Sequence, residues 1–366
     1  MIWTDDDRRH MARALELAAL GMDTTTPNPR VGCVLVREGV VVGEGWHRRA
    51  GEPHAEVHAL EAAGAAAPGA TAYVSLEPCS HHGRTPPCAE ALVRAGVARV
   101  VAAMADPNPR VAGTGLERLR AAGIAVQCGL FDTEARELNV GFVSRMTRGR
   151  PWLRVKIAAS LDGKTALPNG ASQWITGPEA RRDGHRWRAR SCAILTGIGT
   201  LRDDDPRLTV RDVPAERQPL RVVVDSRLRI PLDARILEGG GVVVATALRD
   251  DARTAALVSA GAAVWVLPDA GGRVDLAALM RRLADEGVNE VLAEAGINLH
   301  SALFAAGLVD ELVLYYAPRL LGDAARGMLA LPPAEAVAAM PELAVREVTA
   351  FGPDFRILAR PVIGGR

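Results

Sequence analysis

Short apolar runs alternate with helix-forming segments along almost the whole chain, and this alternation is the strongest constraint on its fold. In the first half the strand-like runs are TAYVSL, ARVVAAM and IAVQC, with the helical segments AEALVRAG and GLERLRAAG between them. The second half continues with PLRVVVDS, GVVVATA, AAVWVLP and NEVLAEAG. Such alternation predicts a mostly parallel sheet that helices cover on both faces. The segment TRGRP interrupts the pattern, so we expect two α/β domains, residues 1–147 and 148–366.

The charge and the apolar pattern exclude several classes of protein. The 366 residues carry a formal net charge of +1, whereas non-specific binding to nucleic acid requires a basic surface. No run approaches the roughly 18 consecutive apolar residues of a membrane span. The first residues, MIWTDDDRRH, are acidic where a signal peptide is basic and then apolar. We therefore expect a cytoplasmic protein that binds neither nucleic acid nor membrane.

Two segments of the first half combine side chains that bind metal. His54 and Glu56 lie in the motif PHAE, and Cys79 and Cys88 bracket the polar loop SHHGRTPP. One imidazole and two thiolates leave the fourth position of a zinc ion open for a catalytic water, and Glu56 is a spare carboxylate that can move protons. Zinc deaminases combine H-x-E with P-C-x-x-C, whereas here eight residues separate the cysteines.

Two other interpretations of these segments remain open on the residues alone. The cysteine loop could hold a structural zinc ion with His81 or His82, although the HAE motif would then be unexplained. His54 and His58 are four residues apart and could form an ordinary polar face of a helix or a His pair for another metal. The pair of segments favours the catalytic zinc site.

The second half has no dinucleotide fingerprint, because Gly197 and Gly199 are followed by Arg202 at the third glycine position. The turn from Glu294 to Gly296 follows a buried strand and precedes a helix, an arrangement that exposes backbone N–H groups to an anion. A tight turn that uses Gly only for packing explains the same residues equally well. Lys156 is one of two lysines beside 42 arginines, which indicates a role that Arg cannot fill.

The sequence resembles a known family, the bifunctional riboflavin-biosynthesis deaminase-reductases. HAEVHAL, YVSLEPCSHHGRTPPCAEAL and TTTPNPRVGCVLV are similar to the deaminase half, which has the longer cysteine spacing. VKIAASLDGKTA, SQWITGPEARRD and ILTGIGTLRDDDPRLTVR are similar to the reductase half. The resemblance implies a cytidine-deaminase-like α/β/α domain followed by a dihydrofolate-reductase-like α/β domain.

The resemblance also implies roles for individual residues. It makes His54, Cys79 and Cys88 the zinc ligands and Glu56 the catalytic proton shuttle. For the deaminase pocket it indicates Asn28, His47, His81 and Arg84. For the nicotinamide cofactor it indicates Ala158, Trp174, Thr200, Asp204, Ser226, Gly296, Ile297, Asn298, Leu299, His300, Ser301 and Ala302. For the reductase substrate it indicates Ser172, Arg188, Leu208, Arg211 and Glu294, to which we add Lys156.

The implied activity has two steps. The first domain hydrolyses the 2-amino group of 2,5-diamino-6-(5-phosphoribosylamino)pyrimidin-4-one with the help of Zn²⁺. The second reduces the ribosyl group with NADPH to give 5-amino-6-(5-phosphoribitylamino)uracil. We expect a small-molecule substrate and a homo-oligomer. A nucleic-acid-editing deaminase is the alternative, but it needs a basic channel and aromatic platforms, and aromatics make up only 4% of this chain. A scaffold with a purely structural zinc is the third possibility.

Overall fold

The computed structural model describes residues 3–80, 87–109 and 111–362. The chain divides into two compact units, Met1–Arg150 and Pro151–Arg366. The division falls three residues beyond the expected position because the last helix of the first unit extends to Arg148 and ends at Gly149, whose φ is 64°. None of the described helices combines the length and the apolar composition that a membrane span requires.

The described residues of the first unit form a five-stranded sheet with helices around it. Its elements are α1 (Asp5–Ala19), β1 (Gly32–Arg37), β2 (Val40–Trp46), α2 (Ala55–Ala63), β3 (Thr71–Val74), α3 (Cys88–Arg94), β4 (Arg99–Ala102), α4 (Thr114–Ala121), β5 (Ala125–Cys128), α5 (Asp132–Leu138) and α6 (Val140–Arg148). The strand order is β2-β1-β3-β4-β5. The β1–β2 hairpin is antiparallel and β1 pairs antiparallel with β3, whereas β3, β4 and β5 are parallel.

Helix α2 lies unusually close to strand β2 because that strand contains two glycines. A Cβ on Gly43 would lie 2.2 Å from the carbonyl oxygen of Ala59, and one on Gly45 would lie 2.5 Å from that of Ala55. Any side chain at these positions would therefore push the helix away from the sheet. The two glycines set the position of the helix that carries the HAE motif.

The second unit is built around a larger sheet. Its elements are β6 (Trp152–Ser160), β7 (Lys164–Ala166), α7 (Pro178–Arg190), β8 (Ala193–Gly197), α8 (Ile198–Asp204), β9 (Leu220–Val224), β10 (Val242–Thr246), α9 (Asp251–Ser259), β11 (Ala262–Val266), α10 (Leu276–Asp285), β12 (Glu290–Ala293), α11 (Ile297–Ala305), β13 (Glu311–Ala317), β14 (Arg326–Gly327), β15 (Leu343–Phe351) and β16 (Asp354–Pro361). Among the described residues, nine strands have the order β11-β10-β9-β8-β12-β6-β13-β16-β15, and β7 pairs with β14 separately.

Seven neighbouring strands of this sheet, from β11 to β13, are parallel, and β16 and β15 complete it in antiparallel pairs. After β6 the chain passes to β8 and builds the sheet outwards to β11, and it then returns to insert β12 between β8 and β6. In open α/β sheets ligands bind beyond the carboxyl ends of strands where the direction of winding reverses. The end of β12 is such a place.

Candidate zinc centre and reductase site

The predicted zinc ligands converge on one point of the first unit. His54 caps α2 in an extended conformation, Cys88 is the first residue of α3, and Cys79 lies in the loop after β3. The Nδ1 atom of His54 lies 3.6 Å from the Sγ of Cys79 and 3.2 Å from the Sγ of Cys88. Two ligands on a tetrahedral zinc ion are about 3.6 Å apart when one is nitrogen and the other sulfur. Among the described residues, these three form the group of His, Cys, Asp and Glu side chains that fits a metal ion.

The surroundings of this cluster favour a thiolate at Cys79 and a proton carrier at Glu56, whereas the Cys79 side chain and burial raise the pKa of Cys88. The Cys88 and His54 side chains lower the pKa of Cys79 to about 4. The backbone N–H of Cys88 donates to the Sγ of Cys79 at 3.3 Å. Glu56 is the second residue of α2 and is 3% exposed. Burial raises the pKa of Glu56 to about 7, so its carboxyl group can both accept and release a proton near neutral pH.

Two of the predicted pocket residues lie beside the cluster. The His47 ring meets the His54 ring edge to face, with centroids 5.2 Å apart. The Nδ1–H of His47 donates to the carbonyl oxygen of Pro53 at 3.2 Å, and its Nε2 accepts from the side-chain amide of Asn28 at 3.0 Å. This chain of contacts joins Asn28 to the ligand-bearing end of α2. The predictions for His81 and Arg84 lie outside the described residues.

Sequence reasoning missed Glu77, whose buried carboxylate organises the loop next to Cys79. It accepts backbone N–H groups at 2.8–3.3 Å, and the donors are Asp106, Gly113, Gly115 and Leu116. A Cβ on Gly115 would lie 2.0 Å from the carbonyl oxygen of Pro78, so the start of α4 packs directly against the chain that leads to Cys79. The available signal was an acidic residue directly after the apolar run TAYVSL, where an unpaired buried charge is costly.

In the second unit three predicted substrate residues form one charged group at the end of β12. Arg188 of α7 holds Glu294 through two hydrogen bonds, Nε to Oε1 at 2.5 Å and a terminal nitrogen to Oε2 at 2.9 Å. The Nζ of Lys156 on β6 lies 3.7 Å from Oε2 of the same carboxylate. Burial alone raises the pKa of Glu294, but the Arg188 and Lys156 charges outweigh it and bring the pKa to about 2. Burial lowers the pKa of Lys156, and Glu294 opposes that shift.

The other predicted substrate residues lie on neighbouring segments. Leu208 has φ +51° and packs its side chain into a hydrophobic cluster, which leaves its backbone as the part that can contact a ligand. The side chain of Arg211 is exposed, and Ser172 is half-buried two residues before Trp174.

The predicted cofactor residues gather around the first turns of α8 and α11. Gly296 caps α11 in an extended conformation, and a Cβ there would lie 4.0 Å from the hydroxyl oxygen of Thr200. Leu299 lies against Gly197, at 3.5 Å from the position of its absent Cβ. The predicted residues Ile297, Asn298, Leu299, Ser301 and Ala302 lie in the first two turns of α11. The hydroxyl of Ser301 donates to the carbonyl oxygen of Ile297 at 2.6 Å.

His300 also lies in α11, but its side chain is turned into the protein. It is 3% exposed, and its Nε2 accepts the backbone N–H of Ala295 at 3.0 Å. The imidazole therefore holds the turn between Glu294 and Gly296 from the inside. Because the His300 side chain is buried, its position does not support the predicted direct contact with a cofactor.

The remaining predicted cofactor residues occupy the carboxyl-end side of the sheet. Ala158 lies near the end of β6, and Ser226 follows β9 and accepts the backbone N–H of Val274 at 3.2 Å. The carboxylate of Asp204 accepts from the side chain of Gln173 at 3.5 Å, next to Trp174. Trp174 is 62% exposed, and the guanidinium of Arg181 lies over its ring, with Cζ 4.6 Å from the ring centroid.

Comparison with known proteins identifies the family. Residues 4–104 match the family model for the cytidine and deoxycytidylate deaminase zinc-binding region, and residues 151–357 match the RibD C-terminal domain. The riboflavin biosynthesis protein RibD of Escherichia coli K12 is 51% identical over 360 residues, which are 95% of this chain and 97% of that protein. The chain belongs to the RibD family.

Solved structures agree over nearly the whole length. RibD of Acinetobacter baumannii has a TM-score of 0.90 at 44% identity and covers 98% of this chain and 99% of its own. A Thermotoga maritima diaminohydroxyphosphoribosylaminopyrimidine deaminase/5-amino-6-(5-phosphoribosylamino)uracil reductase has a TM-score of 0.86 at 32% identity and covers 97% and 99%.

These findings confirm the predicted fold class and the predicted two-part enzyme of riboflavin biosynthesis, a zinc-dependent deaminase joined to a reductase. Zinc and NADPH, the predicted cofactors, are those of this family. A small-molecule substrate is consistent with these enzymes. The comparisons do not favour the nucleic-acid-editing alternative.

Proposed function

We propose that the first unit deaminates 2,5-diamino-6-(5-phosphoribosylamino)pyrimidin-4-one and that the second reduces the ribosyl group of the product to a ribityl chain. The names of the two steps are those of the Thermotoga maritima protein. The observation that carries the proposal is the cluster of His54, Cys79 and Cys88 with the buried Glu56 beside it. The start of α2, the start of α3 and the loop after β3 together supply three zinc ligands and a proton carrier.

In the deaminase His54, Cys79 and Cys88 hold the metal. A zinc ion in this site lowers the pKa of a bound water towards neutrality. Glu56 accepts a proton from the attacking water and returns it to the departing amine, which leaves as ammonia. Asn28 and His47 lie next to the ligand-bearing end of α2 and contribute to the pyrimidine pocket. His81 and Arg84 complete the proposed pocket and its phosphate contact.

In the reductase NADPH supplies the hydride, and the protein positions the sugar. Arg188, Arg211 and Lys156 bring positive charge to a phosphorylated substrate, and Glu294 holds two of these groups together. Lys156 is the proposed proton-transfer contact, because burial lowers its pKa. Ser172 and the backbone at Leu208 complete the substrate contacts. The proposed cofactor site consists of Ala158, Trp174, Thr200, Asp204, Ser226 and the residues from Gly296 to Ala302.

The test is incubation with the diaminopyrimidine phosphate, with and without NADPH, while ammonia and nucleotide absorbance are followed. Ammonia should appear without NADPH, and NADPH should be oxidised only once deamination has occurred. Cys79→Ala should abolish ammonia release, whereas Cys128→Ala, a half-buried cysteine at the end of β5, should leave it intact. Failure of the wild type to release ammonia would refute the proposed first step.

We also propose that the protein acts in the cytoplasm, on a small molecule and without nucleic acid. A reducing compartment keeps thiols such as Cys79 and Cys88 available for a metal. The net charge of +1 gives no general attraction to nucleic acid.

For the expected homo-oligomer we propose strand β15 as the contact between two copies. Val345 and Val348 are 58% and 62% exposed, and Leu343 is 37% exposed. A bulge at Arg346 places all three on one face, opposite Pro361, Ala359 and Ile357 of β16. Leu312 and Leu314 of β13 lie on the same face of the sheet and belong to its hydrophobic core. The exposed face of β15 is therefore an extension of the core surface. Nothing among the described residues covers it at β15, which is also an edge strand.

Sedimentation tests this contact. The wild type should sediment as a dimer, and Val345→Asp or Val348→Asp should shift it to the monomer. Ala344→Asp is the matched control, because Ala344 is exposed on the same strand but opposes Arg360 on the other face. A wild type that stays monomeric at all concentrations would refute the proposal.

A further inference from the structure

His185 of α7 is a buried imidazole with contacts to one loop of the reductase. Its Nδ1 accepts the backbone N–H of Arg211 at 3.2 Å, and its Nε2 lies 3.3 Å from the carboxylate of Asp212. The side chain is 8% exposed, whereas that of Asp212 is 54% exposed. The buried, directed contact is therefore the one with the backbone of Arg211.

The loop at residues 209–211 makes a second contact with α7, one helical turn after His185. Arg188 donates from one terminal nitrogen to the carbonyl oxygen of Thr209 at 3.1 Å while its other nitrogens hold Glu294. The guanidinium of Arg211 in turn reaches the hydroxyl of Thr209 at 3.4 Å. His185 and Arg188 thus hold residues 209–211 from two points on one helix face, and the Arg211 side chain is left exposed at the end of this arrangement.

The contact with Arg211 requires a neutral imidazole, because a protonated ring has no acceptor nitrogen. Burial first, and then the charge of Arg188, lowers the pKa of His185 to about 4, although Asp212 and Glu294 oppose the shift. Arg211 lowers it further. At neutral pH the ring is therefore neutral, with Nδ1 as the acceptor and Nε2–H directed to Asp212.

We infer that His185 is a positioning residue for substrate recognition in the reductase: its Nδ1 fixes the backbone at Arg211 and so presents the Arg211 guanidinium to the phosphorylated sugar. The inference rests on the proposed function, in which Arg188 and Arg211 contact the substrate. His185 itself touches neither substrate nor cofactor. Its loss should therefore weaken substrate binding and leave hydride transfer from bound substrate nearly unchanged.

Two substitutions separate the two contacts of the ring. In His185→Asn the Oδ1 atom occupies the place of Nδ1 and can accept from Arg211. In His185→Gln the terminal amide reaches instead towards the place of Nε2 and Asp212. We expect the Asn variant to keep the substrate KM within about twofold of wild type. The Gln variant loses one buried hydrogen bond and should therefore raise the substrate KM about tenfold. Its kcat and its KM for NADPH should change little.

A double-mutant cycle with Arg211→Ala shows whether His185 acts through Arg211. The penalty of His185→Gln should largely disappear in the Arg211→Ala background, since the guanidinium that it positions is then absent. Thermal unfolding of each variant checks that the second unit remains folded. If the Gln variant is too unstable to assay, His185→Ala, which removes both contacts of the ring, takes its place in both backgrounds, and a KM equal to that of the wild type contradicts the inference.

The opposite pattern, a normal Gln variant with an impaired Asn variant, would assign the role to the Asp212 contact and overturn the inference. Equal KM values in all variants, or fully additive effects in the cycle, would overturn it as well. A wild type that does not reduce the deaminated substrate would instead refute the proposed function. The two failures are therefore distinguishable.

Discussion

Glu56 is the residue on which the deaminase chemistry depends most directly. Its carboxyl group is buried two residues from His54, and it is not one of the three metal-binding side chains. Glu56→Gln preserves its volume but cannot transfer a proton. We expect a fall in the deamination rate of about 10²-fold or more, with zinc content unchanged.

Metal analysis and ammonia release on the same preparation check this prediction. The reductase activity of the variant on deaminated substrate serves as the internal control and should be normal. A zinc-replete variant that still releases ammonia at the wild-type rate would remove Glu56 from the proposed mechanism.

Arg227 and Arg229 are the residues from which we expect recognition of the NADPH 2′-phosphate. Both are exposed and follow Ser226 at the carboxyl end of β9. A guanidinium–phosphate contact should favour NADPH over NADH by about tenfold or more. We expect Arg227→Ala or Arg229→Ala to reduce the ratio of kcat/KM for the two cofactors. An unchanged ratio in both variants would exclude these arginines, and equal use of both cofactors by the wild type would exclude the preference itself.

The turn between β12 and α11 is the element whose stability should depend most clearly on pH. His300 accepts the backbone N–H of Ala295, and burial lowers its pKa to about 4, with Lys156 acting in the same direction and Glu294 against it. The unfolded chain takes up a proton near pH 6.5, whereas the folded one stays neutral down to about 4. The stabilisation is therefore fully present above pH 6.5 and is lost as the pH falls towards 4.

His300→Gln tests this element, because the Gln side chain carries an acceptor oxygen and does not titrate. Calorimetry should show that the Tm of the wild type falls more steeply between pH 7 and pH 5 than that of the variant. Parallel curves would mean that His300 does not contribute to the acid sensitivity.

The whole molecule should carry two activities that can be separated. Each unit has its own hydrophobic core, and the zinc cluster lies entirely in the first. Removal of zinc from the full chain should stop deamination and leave the reduction of already deaminated substrate unchanged. A fragment that begins at Gly149 should, once folded, show the same zinc-independent reduction. Loss of reduction on chelation in a folded protein would contradict this division.

Much of the zinc centre could be predicted because its signals are local. His54 and Glu56 are two residues apart, and Cys79 and Cys88 flank one loop, so the residue types and spacing indicate the chemistry before any fold is known. Glu77 escaped prediction because its donors lie 29 to 39 residues away. Its role exists only once α4 packs against the cysteine loop.

In the reductase the sequence determined the α/β alternation and marked Glu294, at the end of a buried strand, as a place of interest. Resemblance to a family, rather than spacing, joined it to Arg188, and Lys156 was added because it is one of two lysines in an arginine-rich chain. Those residues are 106 and 138 positions away in the chain and meet because β12 inserts next to β6 with α7 against it. His185 could not be distinguished from a solvated residue of an arginine-rich helix until the loop at Arg211 was seen to donate to it.

The sequence by itself thus indicated the zinc chemistry and the α/β class, because metal ligands, a proton carrier and strand–helix periodicity lie within short segments, whereas the reductase chemistry came from the family resemblance. The tertiary structure decided which side chains act and which support. His300 turns inwards to hold a backbone N–H, Leu208 buries its side chain, and Val345 and Val348 share an exposed face only because of a bulge. These outcomes depend on the strand order and on which buried polar groups need a hydrogen-bond partner. Both depend on contacts between distant parts of the chain.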